Sequence, residues 1–374
     1  MSVYLDCNAT TPVSPAVADL VTHYIRMEFG NSGSRTHEFG LAAKQVVEKA
    51  RGQVASLANV DKNEVFFTSG ATESNNIAIL GLQSEAVKTG KKHIITTTIE
   101  HKAVLEPLEY LAKHGFDVTY LNVDESGVLD PNELKKALRD DTLLVSIMHI
   151  NNETGSIQPI SSICDILEEH EAYFHIDAAQ GYGKYPEELV NPRIDMISVS
   201  GHKLYAPKGI GALIVRRRGF NKLPLEPLMF GGGQEKGLRP GTLPVAMIAG
   251  LGLACAEAKA NYLEWRSKCE AIKLSLLEML TSLGAKVNGS NVASHVLNVS
   301  IPHVNSEAAM VALKGIIAIS NGSACTSQNY TSSHVLQAMG FDNERIDGAI
   351  RISWCYMTEE PPLKLIYERI KGLM

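Results

Sequence analysis

Lys203 stands in an unusual place. In "SVSGHKLYAPKGIG" (residues 198–211) a β-branched apolar run ends in Ser200, Gly201, His202 and Lys203 in succession. Lysine is among the residues least tolerant of burial, so this is either a surface loop or an amine held in a cleft. In a cleft its pKa would be lowered, making it competent for Schiff-base chemistry. Other apolar runs end in chemistry too. "FHIDAAQGYGK" closes on Asp177 and Gln180, and an acid at the end of an apolar strand is costly unless it meets a cation. "VFFTSGATESNN" passes through Ser69, Gly70, Ala71 and Thr72 into a helical pattern. That is either an anion site at a helix start or a simple cap by Thr72. "TTTIEHKAVLE" places His101 at a similar junction, as cap or as ring. "SIMHINNETG" offers Asn151, Asn152 and Glu153, which also suit an Asx-type turn.

The elements that must position these groups alternate along the chain. Short apolar runs ("EVFFT", "KHIITTT", "FDVTYLNV", "TLLVSIMHI", "YFHIDAAQ", "MISVSG", "GALIVRR") are separated by segments whose apolar residues recur at three and four. Seven such strands with intervening helices predict an α/β fold with a mostly parallel sheet buried on both faces. Ligands of such sheets sit outside the carboxyl ends of the strands, where the residues above fall. Together those ends offer a phosphate cradle, an aromatic face, amides, a carboxylate and an amine. Pyridoxal 5′-phosphate (PLP) would use all of them, its aldehyde on the lysine and its ring nitrogen against the acid. Beyond "FGGGQEKGLRPGT" long helical patterns and further short strands predict a smaller α+β domain. The large domain is expected over 15–250, the small one over 1–14 and 251–374.

Composition narrows the class. The chain has 374 residues, 45% hydrophobic and 20% charged, with net charge −6, ordinary for a globular protein and unlike one that coats nucleic acid. No basic start followed by an apolar core opens it, and "LPVAMIAGLGLACAEA" (243–258) reads as a packed helix, so a cytoplasmic protein without membrane partner is expected. Six cysteines lack CxxC spacing and the histidines form no ligand cluster, so neither a disulfide framework nor a metal site is expected.

The ordered motifs "LDCNATTPVSP", "FGNSGSRTHEFG", "FTSGATESNNIAI", "EHKAVLE", "MHINNETG", "HIDAAQ", "SGHKLYAPKGIGAL", "GGGQEKGLRPGTLPV", "NGSACTS" and "AIRISW" carry a resemblance over nearly the whole chain. It resembles the cysteine desulfurases of the NifS/IscS type, PLP enzymes of the class V aminotransferase group with the type I fold. The resemblance implies that Lys203 forms the internal aldimine, Asp177 pairs with the pyridinium nitrogen, Gln180 reaches the ring oxygen and His101 stacks on the ring and carries protons. It gives Ala71, Thr72, Ser200 and His202 to the phosphate and Asn152 to a contact near the ring. Thr242 reaches the phosphate of the other subunit, so a homodimer is implied. Asn31 and Arg351 hold the carboxylate of L-cysteine. Cys325, in a polar loop expected to be mobile, takes the sulfur as a persulfide, leaving alanine, and hands it to an acceptor protein. The receiving pathway would be DNA phosphorothioation, iron–sulfur assembly or tRNA thiolation. "FGNSGSRTHEFG" and "RPGTLPV" look closer to the phosphorothioation branch. Cys7, Pro240 and Asn321 stand where the family commonly has other residues. Selenocysteine cleavage and a non-catalytic sulfur carrier are the alternatives.

Overall fold

The computed structural model describes residues 2–321 and 332–374. Seven strands form one sheet: β2 (Val65–Thr68), β3 (His93–Thr97), β4 (Asp117–Leu121), β5 (Thr142–Met148), β6 (Tyr173–Asp177), β7 (Met196–Ser200) and β8 (Gly211–Val215), in the order β2-β8-β7-β6-β5-β3-β4. Only β8 runs antiparallel to its neighbours. Every residue of β3, β5, β7 and β8 is buried, which is why these strands read as continuous apolar runs rather than alternating ones. The two-residue period is still visible in what each side chain meets. Ile95, Val145, Ile197, Ala212 and Ile214 join one core, while Ile94, Leu144, Met196, Leu213 and Val215 join another on the opposite face.

The first core is covered by α1 (Pro15–Arg26), α2 (Glu38–Leu57) and the start of a later long helix. The second lies under α3 (Ala71–Leu80), α4 (Gln83–Thr89) and α5 (Lys102–Lys113). The helical pattern over 71–86 is divided in two at Gly81. Its carbonyl accepts from Glu226 N at 2.9 Å, and a Cβ there would lie 2.9 Å from Glu226 O, so a crossing segment occupies the space a continuing helix needs. Two more short helices, α6 (Pro131–Ala137) and α7 (Ile160–Leu167), complete the crossovers before α8 (Val245–Ser282).

With 38 residues, α8 is about 57 Å long at 1.5 Å per residue. Its first half, through Ala258, packs on the large sheet. Cys269, Leu276 and Leu280 in its second half pack in a separate core. That core includes a three-stranded antiparallel sheet of β9 (Lys286–Val287), β10 (Val296–Ser300) and β12 (Ala349–Ser353), and a parallel pair of β1 (Val3–Tyr4) with β11 (Ile317–Ala318). Residues after β1 then cross to the large sheet, where Thr11 N donates to His202 O at 2.9 Å. Among the described residues no helix is long and apolar enough to cross a membrane.

Candidate active site

A cavity of about 430 Å³ opens at the carboxyl ends of β2, β5, β6 and β7. Ala71, Thr72, His101, Asn152, Asp177, Gln180, Ser200, His202, Lys203 and Arg351 all line it. These residues come from separate stretches of chain, and the sheet brings them together as the strand-end rule requires. Asn31 and Thr242 are exposed and lie outside this wall; Asn31 Oδ1 instead accepts from Gly33 N at 2.8 Å. Cys325 lies outside the described residues.

Lys203 ends a single tight turn that follows β7. Gly201 anchors that turn: its N–H donates to Ile210 O, and its carbonyl accepts from Leu204 and Ala206. The Lys203 ammonium donates to the carbonyls of Asn8 and of Ala9, the latter at 2.7 Å. Asp177, at the end of β6, is buried. Its Oδ2 accepts from Asn75 Nδ2 at 2.7 Å and its Oδ1 from Ala179 N at 3.0 Å, which fixes the orientation of both oxygens.

β2 passes through Gly70 into α3. Gly70 has φ +155°, a backbone conformation that side chains rarely adopt. Facing it on β8, Gly211 has no room for a side chain, because a Cβ there would come within 2.6 Å of Gly70 Cα. The first amides of α3, at Ala71 and Thr72, have no intrahelical acceptor and front the cavity. Glu73 turns back to Ser69 N (2.6 Å) and to Arg239 (2.8 Å). His202 Nδ1 meets Thr10 Oγ1 at 3.2 Å. Burial, with the charges of Lys203 and Lys208 beside it, pushes this imidazole down to about 4, so it is neutral near pH 7.

His101 caps a helix and lines the cavity as well. Its Nδ1 accepts from Ala103 N at 3.1 Å as the cap of α5, which places the ring proton on Nε2 in the neutral form, and the ring also borders the cavity. Asn151 proves structural: its Oδ1 accepts from Glu153 N and Thr154 N, both at 2.9 Å, the Asx turn foreseen for it. Arg351, fully buried on β12, pairs with Asp6 at 2.8 Å and donates to Asn152 O at 3.1 Å. Its Nε has no partner among the described residues.

The site residues that sequence reasoning missed are Asn8, Asn75 and Lys208. Asn75 lies one turn beyond Ala71 on α3, and nothing in the sequence set it apart from a solvated helix residue. Asn8 sits in a motif that was noticed but given no role.

A protein-family model, aminotransferase class V, matches residues 3–363. The chain belongs to the class V aminotransferase family. A curated member of similar sequence, cysteine desulfurase IscS of Vibrio campbellii, is 44% identical over 376 residues, covering 99% of this chain and 92% of the relative. Among solved structures, a NifS-like protein superposes with TM-score 0.90 at 38% identity, covering 100% of this chain and 98% of that one. DndA of Streptomyces lividans gives 0.82 at 49% identity, covering 94% and 99%. The family and its cysteine desulfurases depend on PLP.

The described residues suit that cofactor. Buried polar atoms are ordinarily satisfied, yet Asn8 Oδ1 and Gln180 Oε1, both on the wall, have no partner among the described residues. Lys203, Lys208, Arg351 and the α3 amides favour an anionic guest, with Asp177 as the fixed acid beneath it.

Proposed function

We propose that this protein is a cytoplasmic cysteine desulfurase that takes sulfur from L-cysteine, releases alanine and passes the sulfur to an acceptor protein. The observation that carries the reading is one cavity collecting a lysine amine, a doubly hydrogen-bonded aspartate and a buried arginine. The names of the similar proteins, cysteine desulfurase IscS and NifS-like protein, point the same way. The likeness to DndA favours the DNA phosphorothioation branch for the acceptor.

When bound, PLP supplies an aldehyde that captures the substrate amine and a ring that withdraws electrons from its α-carbon. Asp177 would hold the ring nitrogen, His101 the ring face, Gln180 the ring oxygen, and Ala71, Thr72, Ser200 and neutral His202 the phosphate. Lys203 would hold the cofactor's aldehyde end, and its Nζ would take the substrate's α-proton. Arg351 suits a planar carboxylate and orients the substrate, with Asn31 assisting and Asn152 contacting its surroundings. His101 moves a proton at Nε2 near the substrate thiol. Cys325, as thiolate, attacks the substrate sulfur and keeps it as a persulfide.

We also infer a homodimer. Phe29 is 71% exposed and stacks with Phe39 at 6.1 Å, and Phe220 and Phe230 stand out into solvent. Isolated monomers seldom leave so many large aromatic groups in solvent. Asn31 and Thr242 belong to the same segments, which agrees with Thr242 serving the partner's phosphate. The whole division of labour is a large domain over 15–250 with a small one over 1–14 and 251–374.

The test is alanine and sulfide release from L-cysteine by the PLP-loaded protein under reductant. Cys325→Ser should keep the cofactor's visible absorbance and release no alanine on repeated turnover. Lys203→Ala should lose the absorbance shift of the lysine-linked cofactor. Full turnover by either variant overturns the assignment.

A further inference from the structure

Two cysteines that the proposed reaction does not use meet in the core. β12 ends at Ser353, whose carbonyl accepts from Cys7 N at 3.0 Å, and Asp6 bridges Ser353 in parallel. This pairing brings Cys7 beside Cys355, 348 positions away, and both are buried with their thiols free. The two sulfurs are not equivalent. The two thiols interact with each other, and Cys355 Sγ accepts from Thr358 Oγ1 at 3.6 Å, while Cys355 N donates to the same hydroxyl at 2.9 Å. Close by is Lys184, a buried amine whose Nζ has no hydrogen-bond partner among the described residues. Its charge acts on both thiols and on Cys269.

A thiol, a hydroxyl donor and an ammonium therefore surround one sulfur, the arrangement that stabilises a thiolate. Cys355 is drawn down mainly by its contact with Cys7, while Cys7, through that same contact and its burial, is driven up. The other buried thiols lack this setting: burial alone dominates at Cys164, pushed up to about 12, and at Cys255, also pushed up. An electron-rich sulfur touching a protonated one is a nucleophile beside its resolving thiol.

We propose that Cys7 and Cys355 are a redox pair that closes to a reversible disulfide when the protein meets a peroxide, with Cys355 as the attacking sulfur. The Cys355 thiolate attacks one peroxide oxygen, so an S–O bond forms, the O–O bond breaks, and the departing hydroxide takes a proton and leaves as water. The Cys7 sulfur then attacks the sulfenic sulfur. The S–S bond forms, the S–OH bond breaks, and the Cys7 proton leaves with the hydroxyl as a second water. Two thiols are oxidised by two electrons and one peroxide is reduced. The new bond would tie the segment holding Asn8 and Ala9, whose carbonyls receive the Lys203 amine, to the strand bearing Arg351.

The experiment exposes PLP-loaded protein carrying Cys325→Ser to hydrogen peroxide, alkylates it in denaturant, and maps tryptic peptides without reductant. The expected result is a Cys7 peptide joined to a Cys355 peptide, two free thiols fewer per chain, and full recovery with dithiothreitol. Adding Cys7→Ser should abolish the joined peptide and leave Cys355 carrying added oxygen. Recovery of both cysteines as alkylated thiols after peroxide overturns the proposal. So does Cys355 joined to Cys269, or Cys355 oxygenated while Cys7 is present and unlinked.

Discussion

Replacing Glu100 by glutamine should make the protein more stable, and increasingly so as pH rises. Glu100 is fully buried at the turn after β3. Its Oε1 accepts from Thr97 Oγ1 at 2.7 Å and Met148 N at 3.0 Å, and its Oε2 has no partner among the described residues. Burial, with the charge of Asp177 adding to it, raises this carboxyl from 4.5 to about 8 against the pull of those two donors. The folded protein therefore keeps a proton that the unfolded chain gives up near 4.5, so stability falls as pH rises from there to about 8 and is level beyond. At 1.36 kcal/mol per pH unit the loss is about 5 kcal/mol in all, of which about 3 falls between pH 6 and pH 9. Glutamine keeps an oxygen for both donors and has no such proton to lose. Urea unfolding of the cofactor-loaded protein, followed by Trp265 and Trp354, both buried, should show the two proteins drawing apart by that amount from pH 6 to pH 9. Parallel stability curves would refute the reasoning, because they would mean that Glu100 has the same charge folded and unfolded.

Three further outcomes are expected. Arg51 and Glu235 form a buried pair at 2.6 Å, with Glu235 also accepting from Phe67 N at 2.7 Å. Arg51→Met should cost ~3–5 kcal/mol by stranding the carboxylate, and adding Glu235→Gln should recover most of it in the same urea assay. Asn75→Ala removes one of the two donors to Asp177. A hydrogen bond to a charged group contributes roughly 1.5–3 kcal/mol, so alanine release should fall roughly 10- to 100-fold while circular dichroism is unchanged. Gly211→Ala puts a methyl group 2.4 Å from Val199 O and 2.6 Å from Gly70 Cα. Backbone must shift at the α3 entrance, so PLP retention on gel filtration should drop together with the melting temperature.

How much of this was legible in the sequence follows from the kind of force that fixes each residue. Lys203, Asp177, His101 and Thr72 were found because strands and helices leave a period, and the ends of periodic segments can be located without coordinates. Asn31 and Thr242 were named by resemblance alone, and within one chain they remain outside the cavity. Neither lies at the end of a periodic segment, so nothing in the strand and helix pattern pointed to them. Asn75 was hidden for another reason: a helical amide facing a strand-end acid looks like any polar residue of a solvated helix until the packing of α3 against the sheet is known.

The N-terminal segment was the hardest to read. Residues 6–11 have no secondary-structure period, yet they hold the Lys203 amine through the carbonyls of Asn8 and Ala9, fix Gln180 Nε2 on the Asn8 carbonyl at 2.9 Å, and receive Arg351 on Asp6. Most of these contacts are made by main-chain oxygens, which are chemically the same in every residue. Such a segment is specified by where its flanks are pinned, by β1 pairing with β11 on one side and by Thr11 on the turn at His202 on the other. A substitution at Asn8 or Ala9 that preserves the backbone path should therefore spare the amine's anchorage, whereas a change that loosens either flank should release it.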